Sequence, residues 1–553
     1  MFAVIGVSVF KGVGIGKAFN YEIESIMISK EMIEENEIES TLDRLNIAIG
    51  NQKTSLEAHM KHVEETIGVS ESQIFSAHIE ILNDPELTSR IRKNIVEKKM
   101  NLVAAIDEAK NFYVGMLSAL DDLYIRERAR DIEDVMEGLI KNILGLSDNP
   151  LDNINEDTIL FARDLSPSET IHLNNWVKGI VLSEGSITSH SAIVAKAKGI
   201  PTIVGYKEDQ VLNGKSVVLD TVTIKILIDP TEAELEVYRE KVREEALHQK
   251  RLKELVKVEA ITKDHKSIEL FGNVGSAEEA LSIVEHGGFG VGLLRTELVY
   301  MNSKDWPTEE EQYTTYESIA KNVNGEVIIR TLDIGGDKTL PYYTFPKEEN
   351  PFLGLRAIRF CLKNKDIFKT QLRAILRLSA CYPIKIMFPM IGSLEELMEA
   401  RKCLDEAKKS LEADNQPYKD DIPVGIMIEI PSAVFAIDLL SDYVDFVSIG
   451  TNDLCQYTLA VDRLNPEVAY LYDAFNISII RMIDHVVQGC KPKGVKVGIC
   501  GEMASDVEAA KILIGLGVDE LSVSPSMIPY VKEVIISSNY EELKIYAQQT
   551  IKS

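Results

Sequence analysis

One histidine, His190, lies between hydroxyl residues at the start of a small-residue run, ITSHSAIVAKAKGIPTIVG, from Ile187 to Gly205. An imidazole there can pack in a core, ligate a metal or act as a nucleophile, and the stretch alone leaves all three open. A second set of chemistry-bearing residues follows short apolar runs in the C-terminal half. These are Arg295 and Glu297 in GLLRTE, Arg330 and Asp333 in IIRTLDIGGDK, Glu429 in MIEIP, Asn452 and Asp453 in SIGTND, and Cys500 and Glu502 in GICGEM. Arg356 (FLGLRAIR) and Arg463 (AVDR) lie in connecting segments that can fold over the same place.

Several arginines facing one pocket, in a chain of net charge -27, call for an anionic ligand, because guanidinium forks match carboxylate and phosphate oxygens. Salt bridges to neighbouring acids account for one or two of them. Glu429 and Asp453 form a hard oxygen pair suited to Mg2+, which is typically held by one or two carboxylates and completed by substrate oxygens. The set points to a small phosphorylated, carboxylated substrate bound through a metal. Cys500 beside a glycine and an acid can deliver a proton to an enolate left when a phosphoryl group departs. With such a donor site in the chain, His190 gains a role. Its ring nitrogen can accept and return a phosphoryl group, Thr188 and Ser189 can position it, and the helix amides that follow can stabilise the anion. Ala192, Ala195 and Ala197 let that helix pack closely.

The elements that must position these groups follow from apolar spacing. Residues 1–21 read as a first strand with a tight turn at GVGIGK (Gly12 to Lys17); a phosphate loop there would need glycine at Lys11 and a hydroxyl at Ala18. Residues 22–145 carry helical periodicity and predict a bundle, with His59, His62 and His78 as surface or packing residues. Residues 146–229 alternate short β-rich runs with glycine and helix, an α/β unit around His190 completed by the first strand. Residues 230–260 are charged and, after Pro230, free of proline and glycine from Thr231 to Ala260, which predicts a connecting helix. Residues 261–553 hold eight short apolar strands alternating with amphipathic helices, the rhythm of a TIM (β/α)8 barrel, in which functional groups sit just after the strands. The predicted strands are Ile268 to Asn273, Gly290 to Leu294, Val327 to Arg330, Ile384 to Phe388, Val424 to Ile428, Phe446 to Ile449, Val495 to Ile499 and Leu521 to Val523.

Bulk composition narrows the class. At 553 residues the chain is multidomain, and 45% hydrophobic with 27% charged residues is ordinary for a globular protein. The strong negative charge argues against nucleic acid and against stable association with an anionic membrane, and leaves a basic protein partner open. Six scattered cysteines without a CxxC pair, and no basic leader before the first strand, predict a reducing, cytoplasmic setting.

The motifs TSHSAIVAKAKGIPTIVG, GLLRTELVYM, NPFLGLRAIR, IEIPSAV, SIGTNDLCQYTLAVDR and GICGEMA resemble those of the phosphoenolpyruvate-utilising enzymes. The helical segment with IFSAHIEILNDPEL, and the domain order, narrow the resemblance to the Enzyme I family of the bacterial sugar phosphotransferase system, along essentially the whole chain. The resemblance implies that phosphoenolpyruvate phosphorylates His190 at Nε2, releasing pyruvate, and that His190 then passes the phosphoryl group to a histidine of the phosphocarrier HPr. It implies Arg295, Arg330, Asn452, Asp453 and Arg463 as phosphoenolpyruvate ligands, Arg356 as a further substrate-site arginine, Glu429 and Asp453 as Mg2+ ligands and Cys500 as proton donor. It further implies a helical HPr-binding domain inserted in a swivelling phosphohistidine domain, and a barrel that forms a homodimer. One position departs: the family usually reads GGRTSH, whereas this chain has Gly185, Ser186, Ile187, Thr188, Ser189, His190. Related dikinases carry an apolar residue in place of that arginine, so the departure bears on local contacts and rates while the role of His190 stands.

Three rivals are weaker on the same residues. Enzymes that make phosphoenolpyruvate with a nucleotide share the histidine unit and barrel, but the helical segment is too short for a nucleotide-grasping domain. The nitrogen-related relay usually adds an amino-terminal sensor domain, whereas this chain starts at the first strand. A silent scaffold has no need of the full set of arginines, acids, His190 and Cys500.

Overall fold

The computed structural model describes residues 2–552 apart from 4–5, 22–27, 30, 67–68, 120–122, 147–148, 187–188, 207–212, 337, 339, 464 and 466. Its contacts divide the chain into residues 1–247 and 248–553.

In the first unit the valine-rich start forms three strands, β1 (Phe2–Ala3), β2 (Val7–Phe10) and β3 (Val13–Tyr21), where the sequence suggests one. From Val13 on the GVGIGK segment lies in β3, and it is not the expected tight turn. Its glycines serve close approach between neighbouring backbones: a Cβ on Gly14 would stand 2.3 Å from the Lys178 carbonyl oxygen, and one on Gly16 2.5 Å from that of Asp157. With β4 (Thr158–Ala162), β5 (Val177–Leu182), β6 (Thr202–Val204), β7 (Ser216–Asp220) and β8 (Lys225–Ile228), these strands make one sheet of order β1-β8-β7-β3-β4-β5-β6-β2. The segment β3 to β6 is parallel; β4, β5 and β6 are largely buried and mostly apolar, whereas β3 is only partly buried.

Between β3 and β4 runs the helical bundle: α1 (Ile38–Thr66), α2 (Val69–Leu82), α3 (Pro85–Lys98), α4 (Leu102–Ser118) and α5 (Leu123–Leu144). Local chemistry sets the helix starts. Asp84 accepts from the Glu86 N–H at 2.7 Å ahead of Pro85, and Asn101 accepts from the Ala104 N–H at 2.9 Å. Leu45, Leu56, Phe75, Ile91 and Ile106 fill the bundle core. After β4 come α6 (Pro167–Thr170) and, following β5, α7 (His190–Ala197); α8 (Glu232–Glu254) leaves the sheet.

The second unit is a closed parallel barrel, β9 (Glu269–Val274), β10 (Val291–Arg295), β11 (Val327–Arg330), β12 (Ile384–Phe388), β13 (Val424–Ile428), β14 (Phe446–Ile449), β15 (Lys496–Ile499) and β16 (Glu520–Val523), closed by β16 on β9. All eight strands lie where the alternation predicts them, within two residues at each end. Leu293, Ile328, Met387, Met427, Phe446 and Cys500 form a separate buried cluster, one residue from each of six strands or their ends. The barrel lumen is therefore a packed plug, and ligand chemistry is confined to its mouth. Among the described residues no helix is long and apolar enough to cross a membrane.

Candidate active site

His190 is the first residue of α7, and Ser189 caps that helix, accepting from the Ala192 N–H at 3.4 Å and donating to the Ser186 carbonyl at 2.9 Å. Ser191 donates to Asp164 Oδ1 at 2.9 Å, and Arg130 of α5 pairs with Asp164 Oδ2 at 3.0 Å. Asp134, also on α5, accepts from Ser168 Oγ at 2.9 Å. These contacts set the bundle against the start of α7 and bring the buried His78 of α2 into the neighbourhood. Its ring nitrogens stand 3.5 Å from Asp131 Oδ1 and 3.7 Å from Asp134 Oδ2. Burial of the half-buried His190 pushes its pKa down, helped by His78 and opposed by Asp134, Asp131 and Asp164. A neutral ring keeps a lone pair available, as a nucleophile requires. Ala192 and Ala195 are buried as expected of a closely packed helix, but Ala197 is exposed because it lies one turn after exposed Ile193 on the outer face of α7. Ile187 and Thr188 lie outside the described residues, as does any contact they make.

At the barrel mouth the predicted residues come from successive strand ends. Arg330 and Arg356 are both buried and both paired. Arg330 Nη2 lies 2.7 Å from Glu297 Oε1, and its Nη1 lies 3.0 Å from Asp333 Oδ2. Arg356 spans two acids, with Nε 3.2 Å from Asp333 Oδ1, and Nη1 and Nη2 at 3.2 and 3.1 Å from the two oxygens of Asp453. Burial disfavours both guanidinium charges, but the surrounding carboxylates outweigh it and hold their protons more tightly than in free arginine. Asp333 shows the converse: burial favours its neutral form, yet Arg330, Lys338 and Arg356 hold its carboxyl well below the usual range.

Arg295 is exposed at the end of β10, and its side chain has no ion-pair or hydrogen-bond partner among the described residues. Arg463 is partly exposed, its Nη1 4.0 Å from Glu502 Oε1. Asn452 Oδ1 accepts from the Glu502 N–H at 2.9 Å, tying the β14 and β15 ends together. The four arginines thus divide into two locked among acids and two open to a ligand.

Glu429 is buried and accepts from the Met390 N–H at 2.6 Å. Burial and then the negative charges of Asp453 and Asp333 push its pKa up to about 8. A buried carboxylate whose proton affinity is raised by neighbouring negative charge marks a site that a divalent cation would relieve, and all-oxygen donors suit Mg2+. Among the described residues no three acids, histidines or cysteines are grouped as an all-protein metal cage, so a cation held here takes its remaining ligands from substrate and water.

Cys500 is buried, with Sγ 3.8 Å from the Ile449 carbonyl. Burial is the main cause that pushes its thiol up to about 12, opposed by the neighbouring Ser448 hydroxyl and with added repulsion from Glu429. The thiol is therefore protonated at neutral pH and able to donate. Its neighbour Gly501 fixes how the β15 end passes α-helical Thr451: a Cβ there would sit 1.9 Å from Thr451 Oγ1 and 2.6 Å from its backbone nitrogen. Gly501→Ala should cost roughly 1–3 kcal/mol of barrel stability by overpacking, read as a lowered calorimetric midpoint. An unchanged midpoint would mean that the segment yields freely.

Two site residues escape the sequence reading. Lys338 places Nζ 2.9 Å from Glu297 Oε1 and 2.8 Å from Asp333 Oδ2, completing the cluster with Arg330. It sits in the quoted GGDK run, but five residues beyond Asp333, where a strand-end rule does not look. Met390 adopts a left-handed backbone, φ 57°, to aim its N–H at Glu429; such strain in a non-glycine residue is concentrated at functional sites and carries no side-chain signature.

Three family models match the chain: PEP-utilising enzyme, N-terminal, over residues 5–128; the mobile domain over 154–223; and the PEP-binding domain over 249–540. A phosphoenolpyruvate-protein phosphotransferase of Priestia megaterium is 42% identical over 527 residues, 95% of this chain and 92% of its own length. One from Listeria monocytogenes is 41% identical over 551 residues, 99% of this chain and 96% of its own. The chain belongs to the phosphoenolpyruvate-protein phosphotransferase family. A Bacillus subtilis member is 40% identical over 550 residues, 99% of this chain and 96% of its own. A solution structure of an Enzyme I protein aligns at 30% identity over 44% of this chain and 98% of its own, with a TM-score of 0.38. Within the family matches, His190 falls in the mobile domain and all the barrel-mouth residues fall in the PEP-binding domain.

Proposed function

We propose that the protein takes the phosphoryl group of phosphoenolpyruvate onto His190 Nε2, releases pyruvate, and passes the group to a histidine of HPr in the cytoplasm, the first step of sugar uptake by the phosphotransferase system. The observation that carries this reading is the barrel mouth, where Arg330, Lys338 and Arg356 are set among Glu297, Asp333, Glu429 and Asp453 beside the protonated thiol of Cys500. Arg295, Arg330, Asn452, Asp453 and Arg463 bind phosphoenolpyruvate, and Arg356 turns to it from Asp453. Glu429 and Asp453 would hold Mg2+, which would neutralise phosphate charge and orient its oxygens. His190 attacks phosphorus as the P–O bond to the enol oxygen breaks, and the enolate carbon takes the Sγ–H proton of Cys500, which is regained from solvent. The acidic bundle docks the basic face of HPr, and the barrel carries the homodimer contact.

The test is transfer of label. With radiolabelled phosphoenolpyruvate and Mg2+, label should appear on the protein and then, on adding HPr, move to that carrier. A chelator should hold both at background. Label confined to the protein in the presence of HPr would sink the carrier reading.

A further inference from the structure

The arginines at the mouth are only as well placed as the loops that carry them, and a side chain outside the mouth ties two of these loops together. Gln371 lies on the helix Lys365–Ser379, which packs on β12 and on the helix Glu309–Ala320, and is fully buried. Its Oε1 accepts from the Leu332 N–H at 2.9 Å; its Nε2 donates to Thr296 Oγ1 and to Tyr316 Oη, each at 3.2 Å. A carboxamide has two N–H donors, and both are used.

The direction of every bond in this network is forced. A backbone N–H can only donate, so the Gln371 atom facing Leu332 is oxygen, and the other atom is the NH2 group. The hydroxyls that accept from that NH2 group must send their own protons onward. Thr296 donates to the Arg330 carbonyl at 2.8 Å, and Tyr316 donates to Gln312 Oε1 at 3.1 Å. Gln312 also accepts from Tyr300 Oη at 2.9 Å and returns a donor to the Pro307 carbonyl at 3.0 Å. A single flip of the Gln371 amide would set donor against donor at Leu332.

The anchored points matter more than their number. Thr296 lies between Arg295 and Glu297, and the pair Arg330 carbonyl and Leu332 N–H brackets the turn between Arg330 and Asp333. We infer that Gln371 is a positioning residue for phosphoenolpyruvate binding: one carboxamide fixes the spacing between the Arg295–Glu297 and Arg330–Asp333 segments. The inference rests on the reading of Arg295 and Arg330 as substrate ligands. Buried polar networks of this kind fix one arrangement because any partly satisfied alternative leaves a donor stranded.

The test uses the full chain with three variants. Gln371→Leu removes all three bonds and should lower kcat/KM for phosphoenolpyruvate by about 10- to 100-fold, the effect of displacing a binding group by ångströms or less. Phosphorylation of His190 from phosphorylated HPr, which does not use the barrel mouth, should keep its rate. Thr296→Val should give a smaller loss in the same direction. Gln371→Glu adds the readout that simple loss of packing would not move. An ionised carboxylate still accepts from Leu332 but cannot donate to Thr296, whereas the protonated acid can donate once. Burial raises a carboxyl pKa, so the ratio of Gln371→Glu to unmodified activity should climb as pH falls. Gln371→Leu with unchanged kcat/KM, equal loss in the HPr-driven half-reaction, or a Gln371→Glu ratio flat with pH would each overturn the inference. Arg330→Gln separates this from the underlying reading. If Arg330→Gln is inactive while Gln371→Leu is not, only the positioning role fails; if Arg330→Gln keeps full turnover, the substrate reading fails with it.

Discussion

His190→Gln should abolish incorporation of label from phosphoenolpyruvate, a loss of more than about a thousandfold, since the variant lacks the ring nitrogen proposed as the phosphoryl acceptor. Glutamine keeps a polar side chain of similar reach, but its amide nitrogen has no available lone pair. The change should leave the fold intact, because the cap of α7 comes from Ser189 and the contact to Asp164 from Ser191. The measurement is acid-labile, base-stable label on the purified variant, with a circular dichroism melt as the folding control. Label retained at the parent level would place the acceptor elsewhere.

Cys500→Ser is the second large effect. General acid catalysis contributes about a hundredfold to ten-thousandfold, and a serine hydroxyl is far too weak an acid to replace a thiol, so kcat for pyruvate formation should fall within that range while KM changes little. Unchanged turnover would make Cys500 part of the barrel plug alone. The pH dependence follows from burial. Because the thiol is pushed up to about 12, it stays loaded with its proton across the assay range, and an alkaline loss of activity at lower pH must come from another group. The same shift bears on stability with a definite sign. An ordinary thiol titrates near ~8.5, so the contribution of Cys500 is complete below that value and is lost as pH rises toward about 12.

The barrel was legible because each parallel strand, buried on both faces, must be a short unbroken apolar run, and the functional groups had to follow such runs. Val424–Ile428 and Phe446–Ile449 then point directly to Glu429 and Asp453. Pairing was not legible. Nothing in FLGLRAIR says that Arg356 bridges Asp333 and Asp453, because the partners are set by how three loops close over the mouth. The N-terminal strands were misread for a related reason. Glycines at alternate positions look like a turn, and only the sheet shows that Gly14 and Gly16 admit the carbonyls of Lys178 and Asp157. His78 looked like packing; it is buried as packing requires, but its neighbours Asp131 and Asp134 come from a helix more than fifty residues away.

Arg356 and Asp453 hold one another through two parallel contacts, and that embrace makes cation and anion binding reciprocal. A metal ion that took Asp453 would strip the buried guanidinium of one of its two carboxylate partners, leaving Asp333, and an anionic ligand would replace the lost charge. An anion that draws Arg356 away leaves a carboxylate in want of a cation. By linkage each ligand must tighten the other by the same factor. On the proposed reading, a free anion without a divalent companion, inorganic phosphate among them, would have to break the embrace unaided, so the mouth would discriminate between a metal-borne substrate and the anions that surround it.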